Sequence, residues 1–231
     1  VRMLREHPVL EHASNAAAVI AWELASELRI PAFIYDAISV DELSDLARIS
    51  GMPELPRRSV FHALNSRAVA RAAAAARGRS YADMNIIVAP LGGGITLSVH
   101  SGGKTVDIIS DDEGPFSPER SGRVPCDGLI ELCFSGRFDS AAMRRMLRGN
   151  GGLSAYLGTN DCVEIEARIA AGDDRAMLVY ESLAYQAAKG IGELSTVVCG
   201  DVDLIVLTGG LANSAMMTSW IEKRVSFIAP V

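Results

Sequence analysis

With 231 residues, 49% of them apolar, the chain is long enough to bury one large core or one and a half ordinary ones. A net charge of −6 and a pI near 5.3 exclude the basic footprint that nucleic acid or an anionic membrane surface requires. No apolar run reaches the length that spans a bilayer, so neither partner is expected.

Cys126, Cys133, Cys162 and Cys199 form no Cys-x-x-Cys spacing, which predicts buried, reduced thiols in a cytoplasmic protein. His7, His12, His62 and His100 lack metal-ligand spacing. Val1 is not an initiator and no signal pattern follows, so the N-terminus reads as internal to a longer protein.

In chain order, Ser14 or Asn15 can cap a helix over 14–28, with Ile20, Leu24 and Leu28 on one face. Residues 32–36 read as a buried strand ending in a carboxylate. A short helix is predicted over 40–49, with Val40, Leu43, Leu46 and Ala47 on one side. Pro53 and Pro56 mark a break, which divides the chain into residues 1–52 and a second domain over 53–231. An Ala-rich helix over 59–77 is closed by Gly78. Residues 85–89, 95–100 and 105–109 form an antiparallel meander, with Ile95, Leu97 and Val99 alternating with Thr96, Ser98 and His100. The polar segment 111–122 is long for a plain connection and reads as functional or mobile. Helices follow near 127–134, 140–148, 161–171 and 174–198, with Gly149, Gly151 and Gly152 separating the second from the third. A buried strand over 203–208, a Gly209-Gly210 turn, a helix over 214–224 and a further strand beginning over 225–230 complete the order. The pattern is α/β, with mixed sheets flanked by helices.

Two turns are candidates for chemistry. Glycine lets a backbone approach a phosphate and turn its amides toward the anion, so Gly92-Gly93-Gly94 could cradle one; a plain hairpin with bulge glycines has the same pattern. Leu207-Thr208-Gly209-Gly210 follows a strand and precedes a helix, where open α/β sheets hold ligands, although ordinary connections also look this way. It matches neither G-x-G-x-x-G nor G-x-x-x-x-G-K-[ST]. No G-x-S-x-G points to a hydrolase.

This order of hairpin, strand, Gly-Gly turn and helix is similar to the second half of the actin-like ATPase (ribonuclease H-like) superfamily. Within it, Glu113-Gly114-Pro115-Phe116-Ser117-Pro118-Glu119-Arg120-Ser121-Gly122 resembles the butyrate kinase signature. So do Phe61-His62-Ala63-Leu64-Asn65, Ala47-Arg48-Ile49-Ser50-Gly51, Ala155-Tyr156-Leu157-Gly158-Thr159-Asn160-Asp161, Leu207-Thr208-Gly209-Gly210 and Ser226-Phe227-Ile228-Ala229-Pro230. The motifs lie in family order from Glu11 onward, and the chain resembles the butyrate kinases of the acetokinase family.

The resemblance implies a two-domain kinase that moves a phosphoryl group between ATP and a short-chain carboxylate such as butanoate. It also implies ATP or ADP with magnesium, a homodimer or larger homo-oligomer, and a cytoplasmic location. Carried over position by position, Asp36 looks like a catalytic aspartate that organises magnesium through water. His62 looks like the histidine at the transferring phosphoryl, and Arg120 like the arginine that binds carboxylate and phosphoryl oxygens. Gly92, Gly93 and Gly94 resemble the phosphate hairpin; Asn160, Asp161, Gly209, Gly210, Asn213 and Ser214 fall where the family holds the nucleotide. Outside that context Asp36 caps a turn, His62 is a core histidine and Arg120 is a solvated or salt-bridged side chain. The residue types suit the reaction. A carboxylate is already ionised at neutral pH and needs no general base. The obstacle is repulsion between anions and charge on the equatorial oxygens, which an arginine, a histidine and a metal would offset.

Two departures stand out. Pro90 precedes Leu91-Gly92 where the family has histidine, and proline has no amide hydrogen. One hydrogen bond lost to a charged group costs roughly 1.5–3 kcal/mol. The family's first phosphate hairpin, of Asn-Pro-Gly-Ser-Thr-Ser type, is absent from residues 1–35, and a final strand and helix are not seen, so part of the N-terminal domain and the C-terminal end are expected to lie outside this sequence. The alternative reading is a weakened or inactive nucleotide-binding relative. A sugar kinase would need an aspartate acting as base on a hydroxyl, and the 115–122 segment argues against it.

Overall fold

The computed structural model of the protein describes Glu6, residues 14–38 and residues 40–231; His7, His12 and the N-terminal reading lie outside the described residues. Helices are α1 (Ser14–Leu28), α2 (Asp45–Arg48), α3 (Ala63–Ala76), α4 (Cys126–Phe134), α5 (Ser140–Leu147), α6 (Gly152–Leu157), α7 (Cys162–Ala170), α8 (Asp174–Ser195) and α9 (Ala215–Val225). Strands are β1 (Ile86–Pro90), β2 (Leu97–Ser101), β3 (Lys104–Ile109) and β4 (Leu204–Thr208).

The strands form one mixed sheet in the order β3-β2-β1-β4. β1 is central and wholly buried, which is why Ile86–Pro90 shows no polar alternation. It runs antiparallel to β2, from Ile86↔His100 to Val88↔Ser98, and parallel to β4, from Ile86↔Leu204 to Pro90↔Thr208. The parallel pair requires a crossover, and α4 to α8 supply it. On one face, Ala184, Ala187 and Ile191 of α8 pack over Ile87, Leu97 and Val99. A Cβ on Gly190 would sit 2.2 Å from Leu97 Cδ1, so this residue lets α8 approach the sheet closely. On the other face, Ala70 and Ala74 of α3 cover Ile86, Val88 and Leu204.

The polar side of β2 is buried too. His100 is hydrogen-bonded to Tyr81 Oη at 2.7 Å and to Ser98 Oγ at 3.0 Å, and all its surface is covered. Satisfied partners are what make such burial tolerable.

Several expectations are corrected. Residues 32–36 are irregular and open, with Phe33 86% exposed; no described strand lies alongside to complete a ladder. The helix expected over 40–49 shrinks to Asp45–Arg48. Ser44 caps it, Ser44 N is held by Val106 O, and Leu46 points outward at 89% exposure. α3 starts at Ala63 rather than 59, because Ser59 donates to Val40 O and Arg57 N to Arg48 O, holding the preceding residues extended. Residues 226–230 are turns, with only Ile205 N donating to Pro230 O in strand fashion. The unforeseen α6 sits among the glycines, bracketed by positive φ at Gly152 and Gly158. The four cysteines are free, as predicted, but Cys126, Cys133 and Cys199 are exposed and Cys162 half-buried, because α4 buries none of its residues and Cys199 lies in a left-handed turn. No described helix is long and apolar enough to cross a membrane.

Candidate nucleotide and phosphoryl site

The two glycine turns abut. A Leu91↔Ile95 bridge closes the turn Gly92-Gly93-Gly94 at the end of β1. Leu91 N donates to Thr208 O at 2.7 Å, and Leu91 O accepts from Leu211 N at 3.0 Å. Gly209 has φ +89°, and a Cβ there would lie 2.4 Å from Leu91 O, so only glycine lets the β4 turn pass this backbone.

Beside them is a cleft of about 590 Å³, within the range of small-molecule sites. Gly92, Gly93, Asn160, Asp161, Gly210, Asn213 and Ser214 line it, while Gly94, against Arg120, and Gly209, against Leu91, are not part of its lining. Asp161 caps α7 through Val163 N at 2.9 Å, and Ser214 caps α9 through Met217 N at 3.0 Å, so two helix N-termini open onto the cleft. Ser214 Oγ also donates to Glu166 Oε1 at 2.6 Å, which accepts Tyr180 Oη at 2.8 Å as well. Burial, joined by the Glu166 bond, pushes the Tyr180 pKa up, and burial pushes the Cys162 thiol up to about 11. The lining carries Glu119, Asp161 and Glu166 and no cationic side chain. It therefore suits a neutral, donor-rich group better than a phosphate.

Cations stand on the hairpin side. A Cβ on Gly94 would lie 2.6 Å from Arg120 Cζ, so the guanidinium rests on the bare glycine. Arg120 Nη1 donates to Asp111 Oδ2 at 2.7 Å, and Ser117 Oγ donates to Gly93 O at 2.6 Å, stapling the 111–122 loop to the hairpin. Asn160 Nδ2 donates to Glu119 Oε1 at 2.6 Å, tying the same loop to the cleft. The loop's other end is held by Arg57, which reaches Glu113 Oε1 and Asp107 Oδ1, each at 2.9 Å. Burial raises the Glu113 pKa, but its bonds to Arg57 outweigh that and hold the carboxyl below its usual range.

His62 precedes α3 and is hydrogen-bonded through Nδ1 to Thr96 Oγ1 at 2.8 Å, beside the hairpin. Thr96 lies in the gap of the β1–β2 ladder between Val88↔Ser98 and Leu91↔Ile95; the register is unchanged across it and sets Thr96 opposite Pro90, which has no amide hydrogen to give. Asp36 is placed elsewhere. Its Oδ1 pairs with Arg67 Nη1 at 2.8 Å, Arg67 also binds Glu42, and Glu42 accepts from Thr105 N at 2.9 Å. Thr105 adjoins the β2–β3 turn, the opposite end of β2 from Gly94. Asp36 takes a positive φ, 44°, and its Oδ2 is buried without a partner.

Among the described residues no three His, Cys, Asp or Glu side chains converge on a metal position, and the free Asp36 oxygen lies beside a guanidinium that opposes a second cation. As placed, these residues do not fit a bound ion.

Sequence reasoning passed over Glu166, Asp111 and Arg148. Asp111 opens the polar segment 111–122 and so carried a signal; the other two belong to no motif and meet their partners only through the fold.

A glycine hairpin at the end of a central strand, abutted by a strand–Gly-Gly–helix turn, is the arrangement of the actin-like ATPase fold. The chain belongs to the acetokinase family, whose profile matches residues 52–228. Butyrate kinase 2 of Clostridium acetobutylicum is 47% identical over 223 residues, covering 96% of this chain and 63% of its own length. Acetate kinase of Porphyromonas gingivalis superposes with a TM-score of 0.82 at 23% identity, over 93% of this chain and 57% of its own. A propionate kinase from Francisella tularensis subsp. tularensis gives 0.79 at 21%, over 93% and 58%. At such identities the two structures speak to the fold. The chain thus spans about three fifths of the length of these relatives.

Proposed function

We propose that this chain supplies the nucleotide-binding part of an ATP-dependent kinase whose acceptor is a short-chain carboxylate of the butanoate class. The observation that carries this reading is the joint placement of Gly92–Gly94, the Arg120 guanidinium over Gly94, and the cation-free cleft beside them. Hydroxyl and amine donors of adenosine suit the carboxylate-lined cleft, and the phosphates extend along the Gly92–Gly94 amides. The acid's carboxylate oxygen attacks the γ-phosphorus; that P–O bond forms as the β–γ bridging P–O bond breaks, giving acyl phosphate and ADP, and the reverse runs through the same state. Arg120 offsets the charge gathering on the phosphoryl oxygens, with His62 beside the hairpin as a second donor. ATP would bring magnesium with it, and the ion would supply charge neutralisation at the phosphates; none of the described residues is arranged to hold it. A boundary at residues 52/53, a cytoplasmic location and a homo-oligomeric assembly belong to the same reading.

The test is an acyl-hydroxamate assay with ATP, magnesium and acids from acetate to valerate, run on the protein and on Arg120→Ala. Product peaking near four carbons and lost in the variant is expected. Nucleotide binding with no product from any acid would overturn the reading in favour of an inactive nucleotide-binding relative. Pro90 and the Arg67-bound Asp36 are the observations that favour that alternative, and Pro90→His would be the first reversion.

A further inference from the structure

Asp111 ends the run out of β3 and is buried at 5% side-chain exposure, yet it carries two arginines. Arg148 takes both of its oxygens, Nε on Oδ2 and Nη2 on Oδ1, each at 2.9 Å, the fork-on-fork geometry of a strong pair. Arg120 has a single bond, Nη1 on Oδ2 at 2.7 Å. Among the described residues nothing else engages the Arg120 side chain, so its Nε and Nη2 remain available to an anion.

The backbone enforces this sharing. Arg120 and Arg148 face each other across an isolated antiparallel bridge, and directly opposed residues put their side chains on one side. Ser121 N donates to Leu147 O at 3.0 Å and Gly149 N to Glu119 O at 2.8 Å, flanking the bridge. Gly151 and Gly152 fix the spacing, since a Cβ on them would lie 2.5 Å from Ser121 N and 1.7 Å from Ser117 O. Arg148 further lies 3.8 Å from Asp112.

We propose that Arg148 is a positioning residue for Arg120: by saturating Asp111 it keeps the Arg120 fork open for the phosphoryl or carboxylate anion, a proposal that rests on the role given to Arg120 above. Without Arg148, the buried Asp111 carboxylate has one cation left, and Arg120 closes on it with two bonds.

The test compares Arg148→Gln, Asp111→Asn and the double variant by steady-state kinetics with butanoate and ATP. Inorganic phosphate affinity, read by NMR on the Arg120 Nε–H signal, needs no turnover. Arg148→Gln should raise the carboxylate KM and weaken phosphate binding roughly tenfold while the ATP KM moves little. Asp111→Asn/Arg148→Gln should be no worse than Asp111→Asn alone, because a neutral amide no longer captures Arg120. Should Arg148→Gln fail to fold, Arg148→Lys, which keeps the charge and loses the fork, is read in the same way. Wild-type carboxylate KM and phosphate affinity in Arg148→Gln, or a double variant as impaired as the sum of its singles, would overturn the proposal. An Arg120→Ala variant with full activity would instead sink the role of Arg120 itself.

Discussion

Gly94 and Gly209 are both places where a methyl group does not fit, but they fail against different neighbours. At Gly94 the obstacle is the far end of the Arg120 side chain, which can move; at Gly209 it is the Leu91 backbone, which cannot, and φ is +89° besides. Gly94→Ala should therefore unfold at nearly the wild-type temperature while losing tenfold or more in turnover, roughly the value of one charge-assisted bond. Gly209→Ala should lose about 3 kcal/mol or more in urea unfolding, the cost of a close backbone approach combined with a left-handed conformation. Equal stability losses in the two variants would contradict this division.

Among the elements, the 111–122 loop departs most from the picture of a mobile connection. Ser117 fastens it to the hairpin, and Arg57 gathers Glu113, Asp107 and the carbonyls of Ala47 and Ile108. Arg57→Leu leaves half-buried carboxylates without their cation, and a loss of about 3 kcal/mol is expected by thermal or urea unfolding; a neutral result would mean the loop is held by its other contacts. The loop, the meander and the helices from α3 onward, α6 excepted, were legible because their periods and turn residues agree with their packing. The 32–36 segment was not, since its apolar run announces a strand whose pairing partner local sequence does not name. The Asp111–Arg148 pair was illegible for the same reason: it joins residues far apart in the chain that only the bridge at Arg120 brings together.

For the molecule as a whole, the buried His100 sets a pH dependence. Burial, with the nearby Arg67 charge, pushes its pKa down to about 3; Tyr81, Ser98 and Thr105 are the other groups that face it. An unfolded chain protonates histidine near pH 6.5, so between pH 6.5 and 3 the unfolded state binds a proton that the folded state refuses. Stability is then full above pH 6.5 and falls with falling pH by about 1.4 kcal/mol per unit. Glu113 adds to this lower down, its depressed folded pKa making its contribution present above the ordinary carboxylate range and lost as the pH falls through the depressed value. Unfolding at pH 7.5 and 5 should show the loss, and His100→Gln should reduce the slope; an unchanged slope would assign it to other groups. At this scale the family motifs made the hairpin, Arg120 and the cleft legible, whereas the pairing of Asp36 with Arg67 depends on a tertiary contact with α3. Whether the two glycine turns and the adjoining cleft hold one nucleotide is decided by a crystal structure with a non-hydrolysable ATP analogue. Adenosine between Asn160 and Asn213 with phosphates on Gly92–Gly94 is the predicted result; a nucleotide bound elsewhere, or phosphates pointing away from the hairpin, would contradict it.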